Sequence, residues 1–414
     1  MKILHTSDWH IGRNLYARKR YEEFEAFLIW LSKFINNEKI DVLLVAGDIF
    51  DNTTPSNRAQ ELYYQFLNRV AVSNCRHIVI IGGNHDSPSF INAPKEVLSF
   101  LHVHVIGSAM ENPAREVLVL KDNDLKEELI VLAVPYLRDR DIRLVEPGES
   151  VKDKEDKLID GIRSHYQKVC DIAEKENKRL DKQVPVIAMG HLFAAGGKLI
   201  EGDGVRDLYI GSLARVRADI FPDIIDYVAL GHLHVAQRVA GLDNVRYSGS
   251  PVPMGFGEAL HKKKVLVVDF SNSGHLKPMV KEVEIPKFRN LAQIKGDLND
   301  ISEKIEKLIE EDLAAWVEII YNGDEAPGNL RNIIDDKIDK SKIEVLRIKN
   351  DRISAKIIGI QGTENNVEVH GLDDMNEIEV FKKCMEANGI QDNQRKDLME
   401  TFSQVIKEMQ EKSW

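Results

Sequence analysis

The chain is poor in cysteine: Cys75, Cys170 and Cys384 are the only three in 414 residues. Odd in number and far apart, they give no disulfide framework and no thiolate metal site, and they fit a reducing compartment. Long apolar runs are missing too; nothing approaches the ~18 consecutive apolar residues of a membrane span. A strand pattern starts at Lys2, leaving no room for the charged and apolar regions of a secretory signal. A cytoplasmic location is therefore the expectation. Excess positive charge is also absent: 56 Lys and Arg against 67 Asp and Glu give a formal net charge of −11. That balance excludes a generally basic nucleic-acid binder. It leaves room for a local basic surface, because bound cations and a few arginines offset the field near a site. Neither an internal repeat nor a low-complexity tract interrupts the chain.

What is present is ordinary in bulk, with 43% hydrophobic and 30% charged residues, as in soluble globular proteins. The length allows about two to three domains. The informative detail is five short aliphatic runs, each followed by a polar cluster. Ile3-Leu4 leads to Asp8-Trp9-His10, and the run from Val42 to Ala46 leads to Gly47-Asp48-Ile49-Phe50-Asp51. Ile78 to Ile81 precedes Gly83-Asn84-His85-Asp86. Val186 to Met189 precedes Gly190-His191, and Val228 to Leu230 precedes Gly231-His232-Leu233-His234. A short apolar run ended by a turn reads as a buried strand of an α/β sheet. In such sheets ligands gather at the carboxyl edge.

Helical stripes lie between the first runs: Phe24, Phe27, Leu28, Leu31 and Ile35, then Leu62, Phe66, Leu67 and Val70. This alternation predicts right-handed parallel units over residues 1–110. Two strands over 117–120 and 129–134 predict a second sheet, a charged helix fills 152–180, and short strands follow from 184 to 284. The expected class is α/β, with two facing sheets flanked by helices. Past Pro286 the spacing predicts helix (Leu298 to Ile309), strand (Trp316 to Tyr321), helix (Leu330 to Ile338) and strand (Ile343 to Ile348). That is a small α/β unit without polar clusters. Residues 376–414 read as two helices parted near Gly389, one carrying Ile378, Phe381, Cys384 and Met385. The other carries Leu398, Phe402, Val405, Ile406 and Met409. The expected domains are 1–285, 286–370 and 371–414.

Five strand ends bearing imidazole, carboxylate and amide groups suit a two-metal hydrolase of phosphate esters. Two cations about 4 Å apart create hydroxide near neutral pH and clamp the attacking and leaving oxygens in line. One carboxylate must bridge such a pair, and Asp48 at a strand end is the natural choice. Asp8 and His10 sit two apart, so on an extended segment they point the same way, and His232 and His234 share that spacing. Neutral imidazole and carboxylate suit manganese, iron or zinc better than calcium or magnesium. Asn84 adds an uncharged oxygen, which keeps the site open to phosphate. Gly-Asn-His-Asp alone arises by chance at about one in 10⁵ to 10⁶ per position, whereas Gly190-His191 gains weight only from its company.

Other patterns read as structural. His102-Val103-His104 repeats the ligand spacing but lacks the preceding glycine turn, and His5 lies inside the first strand as a core residue or a support for the ligands. Gly196-Gly197-Lys198 lacks the spaced glycine and hydroxyl of a phosphate loop, so ATP binding by this chain is not expected. Among basic runs, Arg215 with Arg217 and His261-Lys262-Lys263-Lys264 read as solvated faces. Arg13, Arg18 and Lys19 follow the first cluster closely and are set apart as a local basic surface beside it.

Asp-x-His, Gly-Asp-x-x-Asp, Gly-Asn-His-Asp, Gly-His and Gly-His-x-His, in this order, resemble the calcineurin-like metallophosphoesterases. Ser7 to Arg13, Gly47 to Asp51 and Gly249-Ser250-Pro251-Val252-Pro253-Met254 narrow the likeness. They are similar to the bacterial nuclease subunits that process double-strand breaks with a coiled-coil ATPase. The likeness covers residues to about 285 and, more weakly, a capping unit and partner-binding tail. It implies a four-layer sandwich and two manganese ions, one held by Asp8, His10, Asp48 and His234. The other is then held by Asp48, Asn84, His191 and His232. His85 would touch the phosphate or protonate the leaving oxygen, with Asp86 orienting its ring. Asp51 stands where archaeal and eukaryotic relatives carry a second catalytic histidine, which leaves open whether it donates a proton or contacts DNA.

The resemblance further implies a nucleoid-associated homodimer joined through the helices with Leu62, Phe66 and Val70 and with Val97, Leu98 and Leu101. The tail helices would dock on the ATPase. The expected activities are 3′→5′ exonuclease on duplex ends and endonuclease on single strands and hairpins. A small-molecule phosphodiesterase or phosphatase on the same scaffold is the alternative. Its protein-phosphatase branch is disfavoured because Asn52, not arginine, follows Asp51. A DNA-end adaptor or scaffold with vestigial chemistry is disfavoured by the intact ligand set.

Overall fold

In the computed structural model the described residues are 1–143, 149–194, 216–271, 277–323 and 330–350, with positions 385, 395, 398 and 399 of the tail. Gly196-Gly197-Lys198, Arg215 and nearly all of the expected tail helices lie outside them. The chain opens with β1 (Lys2–Thr6), a two-residue ribbon of β2 (Asn14–Leu15) and β3 (Arg18–Lys19), and α1 (Tyr21–Glu38). Then come β4 (Val42–Ala46), α2 (Asn57–Ala71), β5 (His77–Ile81), α3 (Pro88–Asn92), α4 (Lys95–Ser99) and β6 (Val103–Ile106). The next stretch holds β7 (Val117–Lys121), β8 (Glu127–Ala133), α5 (Asp139–Ile142) and α6 (Val151–Arg179). It continues through β9 (Val186–His191), β10 (Tyr227–Gly231), β11 (Gln237–Arg238), β12 (Val245–Tyr247), β13 (Lys264–Asp269) and β14 (Met279–Glu284).

These strands form two six-stranded sheets, ordered β14-β13-β1-β4-β5-β6 and β11-β12-β10-β9-β8-β7. In the first, β1, β4, β5 and β6 run parallel. In the second, β8, β9, β10 and β12 do the same. Antiparallel strands are added outside these parallel centres. The period-two alternation of a strand explains the layering. On β4, Val42, Leu44 and Ala46 face inward against Leu129, Val131, Ile187, Met189 and Ala229 of the second sheet. Leu43 and Val45 face outward onto Phe24, Phe27, Leu62 and Phe66 of α1 and α2. The second sheet turns Leu132, Ala188 and Leu230 onto Tyr166, Val169 and Ala173 of α6. Each such buried Val, Leu or Ile side chain contributes ~1.5–3 kcal/mol. A strand buried on both faces must be apolar throughout, which is why the runs look continuous in the sequence.

The helices start where capping chemistry allows. Ser56 accepts the Ala59 amide at the head of α2, and Ser150 and Asp153 form a reciprocal box at the head of α6. The apolar stripe on α2 is core: Leu62, Phe66 and Val70 are buried within the chain. On α4 and just after it, Leu98 is buried whereas Val97, Phe100 and Leu101 are exposed.

Toward the carboxy terminus, β15 (Asn290–Gly296), β16 (Ala315–Tyr321) and β17 (Ile343–Asn350) form a three-stranded sheet in that order. Between them lie α7 (Leu298–Glu310), burying Ile301 and Ile305, and α8 (Leu330–Ile338), burying Ile334. By compactness the chain divides into two units. The first holds Met1–Gln293, Leu308–Glu318 and Ile338–Arg347; the second holds Ile294–Lys307, Ile319–Lys337 and the rest from Ile348. Both sheets described above belong to the first.

Candidate metal centre

β1, β4, β5, β9 and β10 end at one edge of the paired sheets, and their loops lie against one another. The first two loops stay paired beyond their strands: the Asp8 amide donates to the Gly47 carbonyl at 3.0 Å, His10 to Asp48 at 3.0 Å and Ile11 to Ile49 at 2.9 Å. Glycine permits the approach of the two sheets. A Cβ on Gly231 would sit 1.9 Å from the Ala46 carbonyl oxygen, and one on Gly47, at φ +84°, would sit 2.3 Å from His191 Nδ1. Any side chain at either position would push the sheets apart.

The seven expected ligands converge. His10 Nε2 lies 3.2 Å from His234 Nε2 and 3.6 Å from Asp48 Oδ2. Asp48 Oδ2 also lies 3.3 Å from His191 Nε2. Asn84 Oδ1 lies 2.9 Å from His191 Nε2 and 3.2 Å from His232 Nδ1. Asp8 groups with His10 and His234, and also with Asp48 and His191, all donor atoms within 4.8 Å of one another. Donors about 2.1 Å from one ion stand roughly 3.0–3.4 Å apart in octahedral or tetrahedral arrays. The spacings fit two adjacent ions, with one oxygen of Asp48 reaching both sets.

The backbone here departs from the expectation. Asp8 and His10 are not on an extended segment: their φ angles are +53° and +47°, and Asp48 (+51°) and His232 (+105°) are also left-handed. Such conformations cost of order 1–3 kcal/mol each and persist only where surrounding contacts enforce them. Trp9 is one such contact. It is fully buried, donates Nε1–H to Thr6 Oγ1 at 3.0 Å, and meets Phe27 and Phe66 edge to face. Anchoring Trp9 in the helical layer leaves its two neighbours to the site.

Supporting groups fix the donors. His191 Nδ1 donates to the Ala46 carbonyl at 2.9 Å, which leaves Nε2 as the donor atom. His10 Nδ1 faces Asp51 Oδ1 at 3.5 Å, and His234 Nδ1 faces Glu258 Oε1 at 3.6 Å. Asp8 accepts from Ser7 Oγ at 2.5 Å and from the His232 amide at 2.8 Å. Asp86 does not orient His85. Its carboxylate accepts the Ile49, Phe50 and Gly83 amides at 3.1, 3.0 and 2.9 Å, tying the β4 loop to the β5 loop. His85 Nδ1 instead bonds the Asp51 carbonyl at 2.8 Å, and the His85 amide donates to Asp48 Oδ1 at 2.9 Å.

The charges follow from burial and neighbours. Burial alone would raise Asp48, yet His191, His10 and His85 around it hold it well below the carboxylate range. His191 moves the other way: burial opposes its charge, but Asp48 raises it to about 9. Desolvation lowers His10 to about 4 and His232 to about 3. Burial, and then the charge of Asp48, raises Asp86 to about 6. Asp51 resists its burial and falls to about 2 because His10 and Arg13 face it.

The basic residues divide. Arg13 bonds Asp51 Oδ1 at 3.1 Å, Arg18 pairs with Glu344, and Lys19 is exposed. Arg20 is buried against Glu23 and the Pro253 carbonyl. In the later run Lys262 and Lys264 pair with Glu284 and Glu282, while Lys263 turns inward to Glu258. His5 is a core residue, its nitrogens near Tyr227 Oη at 3.0 Å and the Leu230 carbonyl at 3.2 Å. His102 and His104 lie beside His77, and among the described residues no metal-sized group of three donors includes them. Glu258 and Lys263 are the supporting residues that motif reading missed. A lone glutamate at the end of a short 3-10 turn has no spacing to reveal it.

Residues 1–236 match the family described as calcineurin-like phosphoesterase. Residues 287–388 match one described as Type 5 capsule protein repressor C-terminal domain. The chain is 33% identical to the SbcD component of the SbcCD nuclease from Escherichia coli (strain K12) over 409 residues, 98% of each chain. It is 35% identical to the protein of that name from Rhodobacter capsulatus, covering 74% of this chain and 76% of the relative. With that from Bacillus subtilis the identity is 34%, covering 65% and 66%.

Proposed function

Because the chain belongs to the calcineurin-like phosphoesterases and, within them, to the SbcD nucleases, it is a metal-dependent phosphodiester hydrolase, and we propose that it is a manganese-dependent DNA nuclease. The observation that carries this is the single oxygen of Asp48 lying 3.6 Å from His10 Nε2 and 3.3 Å from His191 Nε2. Asp8, His10, Asp48 and His234 would hold one ion, and Asp48, Asn84, His191 and His232 the other. When bound, such a pair of divalent ions would supply hydroxide near neutral pH and neutralise charge on the phosphate oxygens. Manganese is favoured by the mixed nitrogen, carboxylate and amide donors.

His85 is the catalytic residue among this chain's own groups. With Nδ1 committed to the Asp51 carbonyl, Nε2 is the nitrogen that meets the phosphate or passes a proton to the leaving oxygen. Asp86 is a positioning residue, holding the β4 and β5 loops in register. Asp51 acts through His10 and Arg13; a carboxylate lowered to about 2 is a poor proton donor near neutral pH. Lys19 is the candidate for first contact with the DNA backbone, with Arg13 and Arg18 engaged by carboxylates until DNA competes for them.

The relatives' name, which makes them one part of an SbcCD nuclease, supports a complex with an SbcC-type coiled-coil ATPase acting in DNA repair and recombination. We place the nuclease domain at 1–285, the cap at 286–370 and the ATPase-binding tail at 371–414. Exposed Val97, Phe100 and Leu101 support a homodimer through α4, and the assembly is nucleoid-associated. The expected activities are 3′→5′ degradation of duplex ends and cleavage of single strands and hairpins. The trial is labelled hairpin and blocked-end duplex DNA with manganese, with and without the ATPase. Cleavage in both conditions or with the ATPase only supports the reading. Inert DNA with brisk turnover of nucleotides moves the chain to the small-molecule phosphodiesterases.

A further inference from the structure

The Gly249-Ser250-Pro251 motif, Glu258 and Lys263 lie beyond the ligand clusters, and all of them bear on one residue. The His234 carbonyl accepts from the Ser250 amide at 3.0 Å, Ser250 Oγ at 3.3 Å and Lys263 Nζ at 2.9 Å. Lys263 Nζ also reaches Ser250 Oγ at 2.8 Å and pairs with Glu258 Oε2, which accepts the Met254 amide at 2.9 Å. The other Glu258 oxygen, buried and without a hydrogen bond of normal length, is aimed at His234 Nδ1 at 3.6 Å. Gly249 completes the cradle. At φ +75°, a Cβ there would stand 2.8 Å from the His234 carbonyl oxygen.

We propose that Glu258 is the positioning residue for the ligand His234, locked by Lys263 so that one oxygen fixes the imidazole with Nδ1 protonated and Nε2 presented to an ion. This rests on His234 being a metal ligand. The physical reason for such an arrangement is that a ligating imidazole must hold one tautomer and one orientation, and a carboxylate behind it does both. Burial of a carboxylate is costly unless it is paired, which is the part Lys263 plays. The Ser250 and Gly249 turn fixes the main chain under the same ring. A stretch that carries no ligand of its own thereby shapes the site that Asp8, His10 and Asp48 share with His234.

The test is calorimetric titration of manganese into the full chain, comparing wild type with Glu258→Gln and with a double variant, Glu258→Leu with Lys263→Met, that removes both buried charges. The proposal expects one of two ions to bind roughly 10- to 100-fold more weakly in both variants, with the other ion's affinity kept. Should the folded double variant take up both ions with wild-type affinity, the proposal is overturned. Asp48→Ala separates this from the underlying reading: if that variant still binds two ions, the metal assignment itself fails. Long-range ¹H–¹⁵N correlation of the histidine rings in the wild type loaded with diamagnetic zinc gives a readout independent of any variant. His234 is expected with a slowly exchanging proton on Nδ1; a proton on Nε2 would refute the arrangement.

Discussion

Removing the imidazole of His85 takes away a ring that packs edge to face against His10, 4.8 Å between centroids, but is not among the seven donors assigned to the ions. His85→Ala is therefore expected to lower cleavage by about 10²- to 10⁴-fold while calorimetry still finds both ions; loss of metal binding would place His85 among the ligands. His191 gives a second prediction. Asp48 raises it to about 9 in the metal-free site, so at pH 7 it carries a proton, whereas a ligand imidazole must be neutral. Metal uptake then releases that proton, and apparent affinity rises with pH until about 9. Calorimetry at pH 7 in buffers of different protonation enthalpy should show net proton release; uptake or none contradicts the pairing. The ligands themselves were legible in the sequence because metal chemistry admits few residue types and the preceding glycines mark each strand end. The roles of neighbours were not. Asp86 follows His85 in the chain, yet adjacency does not specify contact, and its oxygens go to three backbone amides instead.

Elements were legible where period and length agreed. α1, α2 and the strands before each cluster lie where their apolar spacing predicts, and α6 falls on the charged stretch expected to be helical. β6 was obscured by the histidine pair around Val103, and β15 by its mixed polarity. The local conformation of the ligand turns was hidden for a different reason: left-handed angles at Asp8, His10 and Asp48 are imposed by tertiary contacts, which no local propensity encodes. Those contacts can be tested. Trp9→Ala removes a fully buried indole and is expected to cost ~3–5 kcal/mol in denaturant unfolding. Metal affinity should fall with it, since Asp8 and His10 lose the anchor between them. An unfolding cost under ~1 kcal/mol would mean that the turn is held by its ligands and hydrogen bonds alone. Gly231→Ala is expected to disturb both sheets, because its Cβ would collide with the Ala46 carbonyl.

Across the whole molecule, two facing sheets follow from strands apolar on both faces, and this much the runs of Val, Ile and Leu declare. The grouping of the later strands does not follow from composition: Leu308–Glu318 and Ile338–Arg347 fall with the first compact unit although they lie beyond Pro286. At this scale acid lability is the expected behaviour. Desolvation lowers buried His5 to about 3 and His104 to about 4, below the ~6.5 of an unfolded chain. The unfolded state therefore binds more protons below pH 6.5, and stability is lost as pH falls from there toward 4. Thermal melts in chelator should drop over that window, and His5→Gln should flatten the drop; a pH-independent melt would contradict it.

The measurement that bears most directly on the site is the number of manganese ions per chain, counted by metal analysis and by anomalous scattering from crystals soaked in manganese. Two ions are expected, one among Asp8, His10 and His234 and one among Asn84, His191 and His232, with Asp48 between them and both lost in Asp48→Ala. A single ion, or two that survive that substitution, would contradict the account.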